Sequence, residues 1–194
     1  MPQNSTKAQK IISTAKDLFY KYGFKRVSIE EICREAGASK MTFYKYFKNK
    51  NGLIIHMMET INQEAWENYE AIMAQDIPFK DKVNFMLKLK ADSTKDLSPE
   101  LLQEIHNSKD EELKTYFQQH TEKSLKCLMT DLAEAQQKGE LRQNMKIEFV
   151  LYFMNHMFEM VKDTQLTSLY ATPQDLIMEL NNFFYYGILP RDQA

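Results

Sequence analysis

Hydrophobic side chains recur every three or four residues along nearly the whole chain, which is the spacing of one face of an α-helix. Gly23 and Gly37 end the first two of these runs, as glycine commonly does where a helix stops in a left-handed conformation. About nine helices are predicted, over 6–22, 29–36, 40–47, 50–75, a run opened by Pro78 and continuing through 89, a short run opened at 98–100, 111–138, 147–162 and 173–186.

Capping residues mark where several of these helices begin. Ser28 and Ser108 each stand three residues before a glutamate, which is the spacing of a capping box. Ser39 precedes the third run, and Thr172 with Pro173 opens the last one. No convincing strand appears, and five glycines and five prolines supply little turn chemistry for a β-sandwich or a Rossmann fold. The sequence therefore predicts an all-α fold.

The second and third runs have the dimensions of a helix-turn-helix, whose second helix lies in the major groove of DNA. We expect Phe43 and Phe47 to face inward, because they share one side of the third helix. Lysines and tyrosines on the other side can bind phosphate oxygens, and a threonine methyl or a tyrosine ring can contact a thymine methyl. The side chains expected to face outward are those of Lys40, Thr42, Tyr44, Lys45 and Lys48.

The charge is unevenly distributed. The 194 residues carry a formal net charge of -2, which by itself argues against a nucleic-acid partner. Residues 1–48, however, contain ten Lys or Arg and four Asp or Glu, a net +6, and leave -8 for residues 49–194. A cationic segment of this size favours nucleic acid through counterion release. Solvated surface lysines are the simpler alternative.

Several classes of protein are disfavoured. No apolar run approaches the ~18–20 residues of a membrane span, and the polar N-terminus has no secretion signal, so we expect a cytoplasmic protein. Cys33 and Cys127 form no C-x-x-C pattern, which disfavours a cysteine-based zinc site. Neither Glu-x-x-His nor His-Glu-x-x-His is present, and no phosphate-binding glycine loop is evident. We expect no enzyme, no metal and no cofactor.

One set of residues over 10–54 forms a recognisable pattern: Ala15, Leu18, Phe19, Gly23, Val27, Ser28, Ile29, Ile32, Ala36, Gly37, Ser39, the run 42–47, Lys50 and Leu53. With these residues, the segment resembles the TetR-like bacterial transcription regulators. The resemblance implies a homodimer of all-helical subunits, with a helix-turn-helix domain over 1–48 and a ligand-binding and dimerisation domain over 49–194. It also implies that positions 40 and 41 set the choice of operator.

The predicted DNA-binding residues combine this resemblance with the outward face of the third helix. Thr42, Tyr44, Tyr46 and Lys50 match positions at which the family contacts DNA. Ser28 begins a helix whose N-terminal amides and dipole suit a phosphate. The complete predicted set is Ser28, Ser39, Lys40, Met41, Thr42, Tyr44, Lys45, Tyr46, Lys48 and Lys50.

The last two long helices indicate a dimer. Residues 147–162 carry two apolar stripes, whereas a helix on the surface of a monomer normally shows one. One face can pack within the subunit and the other on a partner, although a helix buried at the centre of a monomer gives the same pattern. The predicted interface residues are Val150, Met154, Phe158, Leu180, Phe183 and Phe184.

Twelve methionines and an aromatic content of 12% suggest a core that can adapt around a largely apolar small molecule, although such residues more often only fill a core. The predicted ligand-binding residues are Trp66, Tyr69, Phe117, His120, Phe153 and His156. We therefore expect a dimeric repressor that binds a palindromic operator and is released by a small molecule. The alternatives are a helical dimeric scaffold without DNA binding and, less favoured, a helical enzyme.

Overall fold

The computed structural model describes residues 5–190, which form ten α-helices and no strand. The all-α fold is confirmed. The helices are α1 Thr6–Arg26, α2 Ile29–Ala36, α3 Lys40–Tyr46, α4 Lys50–Met73, α5 Phe79–Thr94, α6 Pro99–His106, α7 Glu111–Gln137, α8 Ile147–Met160, α9 Thr164–Thr167 and α10 Pro173–Ile188.

The sequence pattern misses α9, which makes the helix count ten instead of about nine. This helix has four residues, too few for hydrophobic periodicity to reveal it. Its beginning is fixed by Asp163, whose Oδ1 accepts hydrogen bonds from the amides of Gln165 (2.8 Å) and Leu166 (3.2 Å).

Gly23 interrupts α1 but does not end it. The glycine has φ 77° and ψ 170°, and the chain then continues in a further helical turn to Arg26. The glycine stop is therefore observed, whereas the predicted end of the helix at Tyr22 is four residues short. A Cβ at residue 23 would lie 3.0 Å from Glu104 Oε2 and 3.2 Å from Glu100 Cβ on α6. Both the backbone conformation and the close packing favour glycine here.

The observed caps agree with prediction at four helices, including α6, which Ser98 caps, and differ at one. Ser28 and Ser39 cap α2 and α3, and Thr172 forms a complete capping box at α10. The capping box predicted at Ser108 is wrong. The cap of α7 is Asp110, whose Oδ1 accepts from the amides at positions 112 (3.0 Å) and 113 (3.1 Å). Asp110 precedes the first helical residue directly, so its carboxylate is the closer acceptor.

The chain forms two compact units. Unit 1 comprises Met1–Glu64 and Asp96–Phe117, so it contains α1 to α3, α6 and one end of both α4 and α7. The bounds of this unit differ from residue 48, the expected end of the helix-turn-helix domain. The expected boundary divides the chain by function and stays a prediction. Within unit 1, α1 packs against α2, α3 and α6. The largest side chains fully buried in this core are Ile11, Phe19, Ile32, Phe43, Leu53, Ile54, Met57 and Leu101.

Unit 2 comprises Ala65–Lys95 and Gln118–Ala194, and in it α5 packs against α10. Gln174 Nε2 on α10 donates to the carbonyl oxygen of Ala91 (2.6 Å). The turn after α7 is joined to the other end of α10, because the amide and guanidinium of Arg142 donate to the carbonyl oxygens of Ile188 (3.1 Å) and Gly187 (2.8 Å).

Candidate nucleic-acid interface

A tight turn connects α2 and α3. Gly37 adopts a left-handed conformation, with φ 62° and ψ 35°. Its amide donates to the carbonyl oxygen of Arg34 (3.2 Å), and the amide of Ala38 donates to that of Cys33 (2.9 Å). These bonds satisfy the last carbonyl groups of α2 and let α3 begin three residues after Gly37.

Ser39 fixes the beginning of α3. Its Oγ accepts a hydrogen bond from the amide of Thr42 (3.1 Å) and lies 3.0 Å from Thr42 Oγ1. The capping bond satisfies one amide that has no partner within the helix. The side chains of Ser39 and Thr42, both predicted to bind DNA, therefore take part in the start of α3. Ser39 is exposed and Thr42 is half-buried.

The two faces of α3 differ sharply. Phe43 is fully buried and Phe47, directly after the helix, is 2% exposed, which confirms their predicted inward orientation. Met41 is 84% exposed and Tyr44 is 55% exposed, large apolar surfaces for a helix of seven residues. A methionine and a tyrosine this exposed suit contact with base edges better than contact with water.

Lys40 has a partner on α2. Its ammonium forms an ion pair with the Glu30 carboxylate, and both side chains are exposed. The hydrogen bond with Glu30 raises the pKa of Lys40, and the same bond lowers the pKa of Glu30. An exposed pair of this kind is easily exchanged for another partner such as a phosphate.

Lys45 and Lys48 provide exposed positive charge near the C-terminal end of α3. The Lys45 ammonium lies 5.8 Å from the centre of the Tyr46 ring, and Tyr46 itself is half-buried. The side chains of Lys45 and Lys48 can therefore reach phosphate oxygens from the surface.

The N-terminus of α2 is less suited to a phosphate than the sequence suggested. Ser28 Oγ accepts from the amide of Glu31 (3.1 Å), so the serine acts as a helix cap. Glu30 and Glu31 stand in the first turn, and Glu31 lies 3.6 Å from the Arg26 guanidinium. Two carboxylates at this helix end oppose an approaching anion.

The Lys50 side chain forms hydrogen bonds within the protein. Its Nζ donates hydrogen bonds to the carbonyl oxygens of Phe24 (2.7 Å) and Val27 (3.0 Å), and burial lowers the pKa of its ammonium. The predicted phosphate contact through this side chain would require both bonds to break. Lys50 instead connects the beginning of α4 to the segment between α1 and α2.

Glu104 of α6 is a residue that sequence reasoning missed. Its carboxylate accepts hydrogen bonds from the amides of Phe24 and Lys25, the latter at 3.1 Å. These amides follow the break at Gly23 and have therefore lost their helical partners. The one local signal for such a contact is Gly23 itself, and nothing in the pattern points to its partner eighty positions away.

Comparison with known proteins matches this part of the chain to a family. Residues 11–57 fit the family described as bacterial regulatory proteins, tetR family. Residues 11–57 of this chain are therefore TetR-like. The match covers α1 to α3 and the beginning of α4, and so includes the helix-turn-helix and Lys50.

Two curated relatives of this chain are uncharacterized HTH-type transcriptional regulators of Bacillus subtilis (strain 168). YerO is 43% identical over 53 residues, which are 27% of this chain and 18% of YerO. YdgC is 21% identical over 188 residues, which cover 94% of this chain and 93% of YdgC. The chain thus matches less than a fifth of one relative and nearly all of the other.

A solved structure extends the likeness over both units. FadR from Bacillus subtilis, in complex with stearoyl-CoA, has a TM-score of 0.71 at 18% identity and covers 93% of this chain and 98% of its own. At that identity the likeness establishes a shared fold. No helix among residues 5–190 could cross a membrane, and no group of three or more His, Cys, Asp or Glu side chains there could hold a metal ion.

The six predicted ligand-binding residues are divided between the two units, with Phe117 in unit 1 and the other five in unit 2. Phe117 belongs to unit 1, where its ring stacks on Phe24 with centroids 6.3 Å apart. His156 is exposed, and its Nδ1 lies 2.9 Å from the Tyr152 carbonyl oxygen. His120 is half-buried on α7, and burial followed by the charge of Lys123 lowers its pKa.

Trp66 and Tyr69 are two predicted ligand residues that lie together, with ring centroids 5.6 Å apart on α4. The Tyr69 hydroxyl donates to Asp131 Oδ2 on α7 at 2.5 Å. Burial and this carboxylate raise the pKa of Tyr69. Trp66 Nε1 donates to Glu70 Oε1 at 2.6 Å. Both polar groups therefore already have partners within unit 2.

The six predicted interface residues divide by burial. Val150, Leu180 and Phe184 are buried within their own subunit. Met154 and Phe158 are half-buried, and Phe183 is 73% exposed. The other exposed large apolar side chains of α8 and α10 are Phe149, Leu151, Tyr152, Met160 and Tyr186.

Phe153, predicted as a ligand residue, links these two helices. Its ring stacks on Phe184 and Phe183 of α10, with centroids 6.2 Å and 6.5 Å away. It also lies 6.2 Å from the ring of Phe149 on its own helix. The exposed Phe149 and Phe183 therefore belong to one continuous aromatic surface.

Proposed function

We propose that this chain is a transcriptional repressor that binds a palindromic DNA operator as a homodimer through α3 and is released by a small molecule. The observation that carries the proposal is the exposed Met41 and Tyr44 on a short helix anchored by the buried Phe43. The tetR-family match over the same residues supports it. A protein that acts by binding in this way needs no catalytic group.

The roles proposed for individual residues follow from their partners. Met41 and Tyr44 read base edges, because they are the exposed large side chains of α3, and the half-buried Thr42 next to Met41 reads them as well. Lys45 and Lys48 bind phosphates, with Tyr46 in support. Lys40 binds phosphate or base after it releases Glu30, whereas the Ser28 and Ser39 side chains cap their helices.

Selection from a pool of random duplexes tests DNA recognition. We expect an enriched palindrome, whose affinity for the protein falls steeply as salt rises because phosphate contacts release counterions. Met41→Ala should change which sequence is enriched, whereas Lys48→Met should weaken binding to all sequences alike. Enrichment of no sequence, together with salt-independent affinity, would refute DNA recognition.

The proposed dimer interface uses the exposed surfaces of α8 and α10 around Phe149, Tyr152 and Phe183. These side chains are 60%, 63% and 73% exposed in one subunit, so a partner would remove a large apolar area from water. Val150, Leu180 and Phe184 support this face from the core of the subunit. A twofold dimer would then present two α3 helices to two half-sites.

Sedimentation of point variants tests the interface. Phe149→Glu should shift the protein toward monomers, because the dimer would bury an unpaired carboxylate. Leu169 is 76% exposed but lies outside α8 and α10, so Leu169→Glu is a matched control that should leave the dimer intact. Dissociation by both variants, or by neither, would contradict the proposed face.

Unit 2 is the proposed effector-binding unit. The FadR structure in complex with stearoyl-CoA shows that this fold accepts a large ligand with an apolar chain, in that protein. In this chain, Trp66 and Tyr69 remain the predicted residues that lie together in unit 2. Screening for compounds that lower operator affinity, with Trp66 fluorescence as a binding signal, tests this assignment.

A further inference from the structure

Lys90 interrupts the buried face of α5. The buried positions on this helix are Phe79, Val83, Met86, Leu87 and Thr94, which all fall on one side of it. At 3.6 residues per turn, Lys90 falls within about 15° of the middle of their arc. The backbone of α5 therefore directs Lys90 toward the same side as the core residues.

The Lys90 side chain is nevertheless exposed to solvent. It does not lie beyond the packed part of the helix, because Thr94, one turn further on, is buried. An inward-directed side chain that still meets solvent indicates a solvent-accessible recess on this side of α5. Burial also lowers the pKa of the Lys90 ammonium, which agrees with a position surrounded by protein.

No carboxylate among residues 5–190 pairs with Lys90. Other polar groups close by have partners of their own. Thr94 Oγ1 donates to the carbonyl oxygen of residue 90 at 2.8 Å, and Gln174 Nε2 donates to that of Ala91 at 2.6 Å. The positive charge of Lys90 is therefore left for a ligand in the recess to neutralise.

The buried residues that precede Lys90 on α5 are apolar. Met86 lies one turn before Lys90, and its Sδ accepts a hydrogen bond from the hydroxyl of the buried Tyr185 at 3.7 Å. Leu87 is also buried, and Val83 continues the apolar stripe toward the beginning of the helix. Methionine adapts easily to the shape of an apolar ligand. The recess therefore combines one positive charge with an apolar lining.

We propose that Lys90 binds the carboxylate of an effector whose remaining part is apolar. One lysine balances one negative charge, which suits a monocarboxylate better than a doubly charged phosphate monoester. The charge-assisted hydrogen bond fixes one end of the ligand, and the Met86 side of α5 packs against its apolar part. This assignment rests on the proposed function, since it gives the chemical class of the effector.

Calorimetric titration of the full chain with hexanoate, octanoate and decanoate, each paired with the corresponding primary alcohol, tests the proposal. We expect at least one carboxylate to bind about tenfold more tightly than its alcohol. Lys90→Met should remove that preference, and Lys90→Arg should retain most of it. Lys88 is exposed about 160° around the same helix, so Lys88→Met is the matched control and should change nothing.

Equal binding of acids and alcohols by the wild type would overturn the proposal, as would an unchanged preference in Lys90→Met. If thermal melting shows that Lys90→Met does not fold, Lys90→Gln takes its place. Its ratio of carboxylate affinity to alcohol affinity is then compared with that of the wild type. Operator affinity without ligand is measured on the same samples. If the wild type does not bind DNA, the proposed function is refuted. If it binds DNA but shows no preference for carboxylates over alcohols, only the role of Lys90 is refuted.

Discussion

The ammonium of Lys50 donates a hydrogen bond to the carbonyl oxygen of Phe24 at 2.7 Å. Lys50 is the first residue of α4, and Phe24 follows the break in α1 at Gly23. The Glu104 carboxylate accepts from the amide of the same Phe24. Side chains from α4 and α6 thus satisfy the backbone where α1 is interrupted, directly before the helix-turn-helix.

Lys50→Met should destabilise the protein by about 1–2 kcal/mol, because two backbone carbonyl groups lose their donor. Its effect on DNA binding should come through this loss of structure and not through a lost phosphate contact. The slope of log affinity against log salt concentration should therefore stay at its wild-type value. Urea unfolding and fluorescence anisotropy with a selected duplex measure the two quantities.

Lys48→Met is the comparison for that experiment. Lys48 is exposed and two residues away, so its removal should leave stability within about 0.5 kcal/mol. It should reduce the salt slope by about one, as expected for one lost phosphate contact. A reduced slope in Lys50→Met would show that Lys50 contacts phosphate after all.

Gly23→Ala should destabilise the protein by about 2 kcal/mol. The residue has φ 77°, and the new Cβ would lie 3.0 Å from Glu104 Oε2. Gly139→Ala separates the two causes, because Gly139 has φ 81° but a Cβ added there would meet no atom within 4 Å. It should cost about 1 kcal/mol, and chemical denaturation of both variants checks the difference. Equal losses would mean that the contact with Glu104 contributes nothing.

Local signals made the helix-turn-helix predictable. Ser28, Gly37 and Ser39 each act within four residues of their own position, and the periodicity of Phe43 and Phe47 shows which face is buried. The partner of Lys50 could not be predicted in this way, since its carbonyl acceptors lie 23 and 26 positions earlier. A lysine at a helix start suits a phosphate and a backbone carbonyl equally well, and tertiary packing decides between them.

The same limit applies to α8 and α10. The sequence shows that α8 has two apolar stripes, but it does not show which one the subunit buries. The structure buries Val150 and exposes Phe149, its immediate neighbour. Likewise, Phe117 has the chemistry of a ligand contact, yet it stacks on Phe24 in unit 1. Hydrophobicity alone does not distinguish these environments.

Two adjacent aromatic residues of α3 should respond in opposite ways to truncation. Phe43→Ala should destabilise the fold by about 3–5 kcal/mol, because it removes a fully buried ring. Tyr44→Ala should change stability by less than about 1 kcal/mol and lower operator affinity by about tenfold or more. Thermal unfolding and anisotropy separate the effects. Normal DNA binding by a folded Tyr44→Ala variant would contradict the assignment of this face.

Stability should fall between pH 10 and about pH 12. Burial raises the pKa of Tyr185 from 10.0 to about 12, so above pH 10 the unfolded chain releases a proton that the folded protein retains. The free energy of unfolding then decreases with rising pH, by at most about 1.4 kcal/mol per pH unit for this group. Denaturation of Tyr185→Phe should show a shallower decline, whereas Tyr44→Phe, at an exposed position outside the proposed dimer interface, should follow the wild type.

Footprinting on the DNA that flanks the protein's own gene tests the account most directly. Two α3 helices in a twofold dimer should protect two inverted half-sites, about 34–36 Å apart or at a longer spacing on the same side of the duplex. Tyr44→Ala should abolish this protection, and Leu169→Glu should leave it unchanged. The account is contradicted if the dimer protects no palindromic site there, or if the protected site remains when Tyr44 is removed.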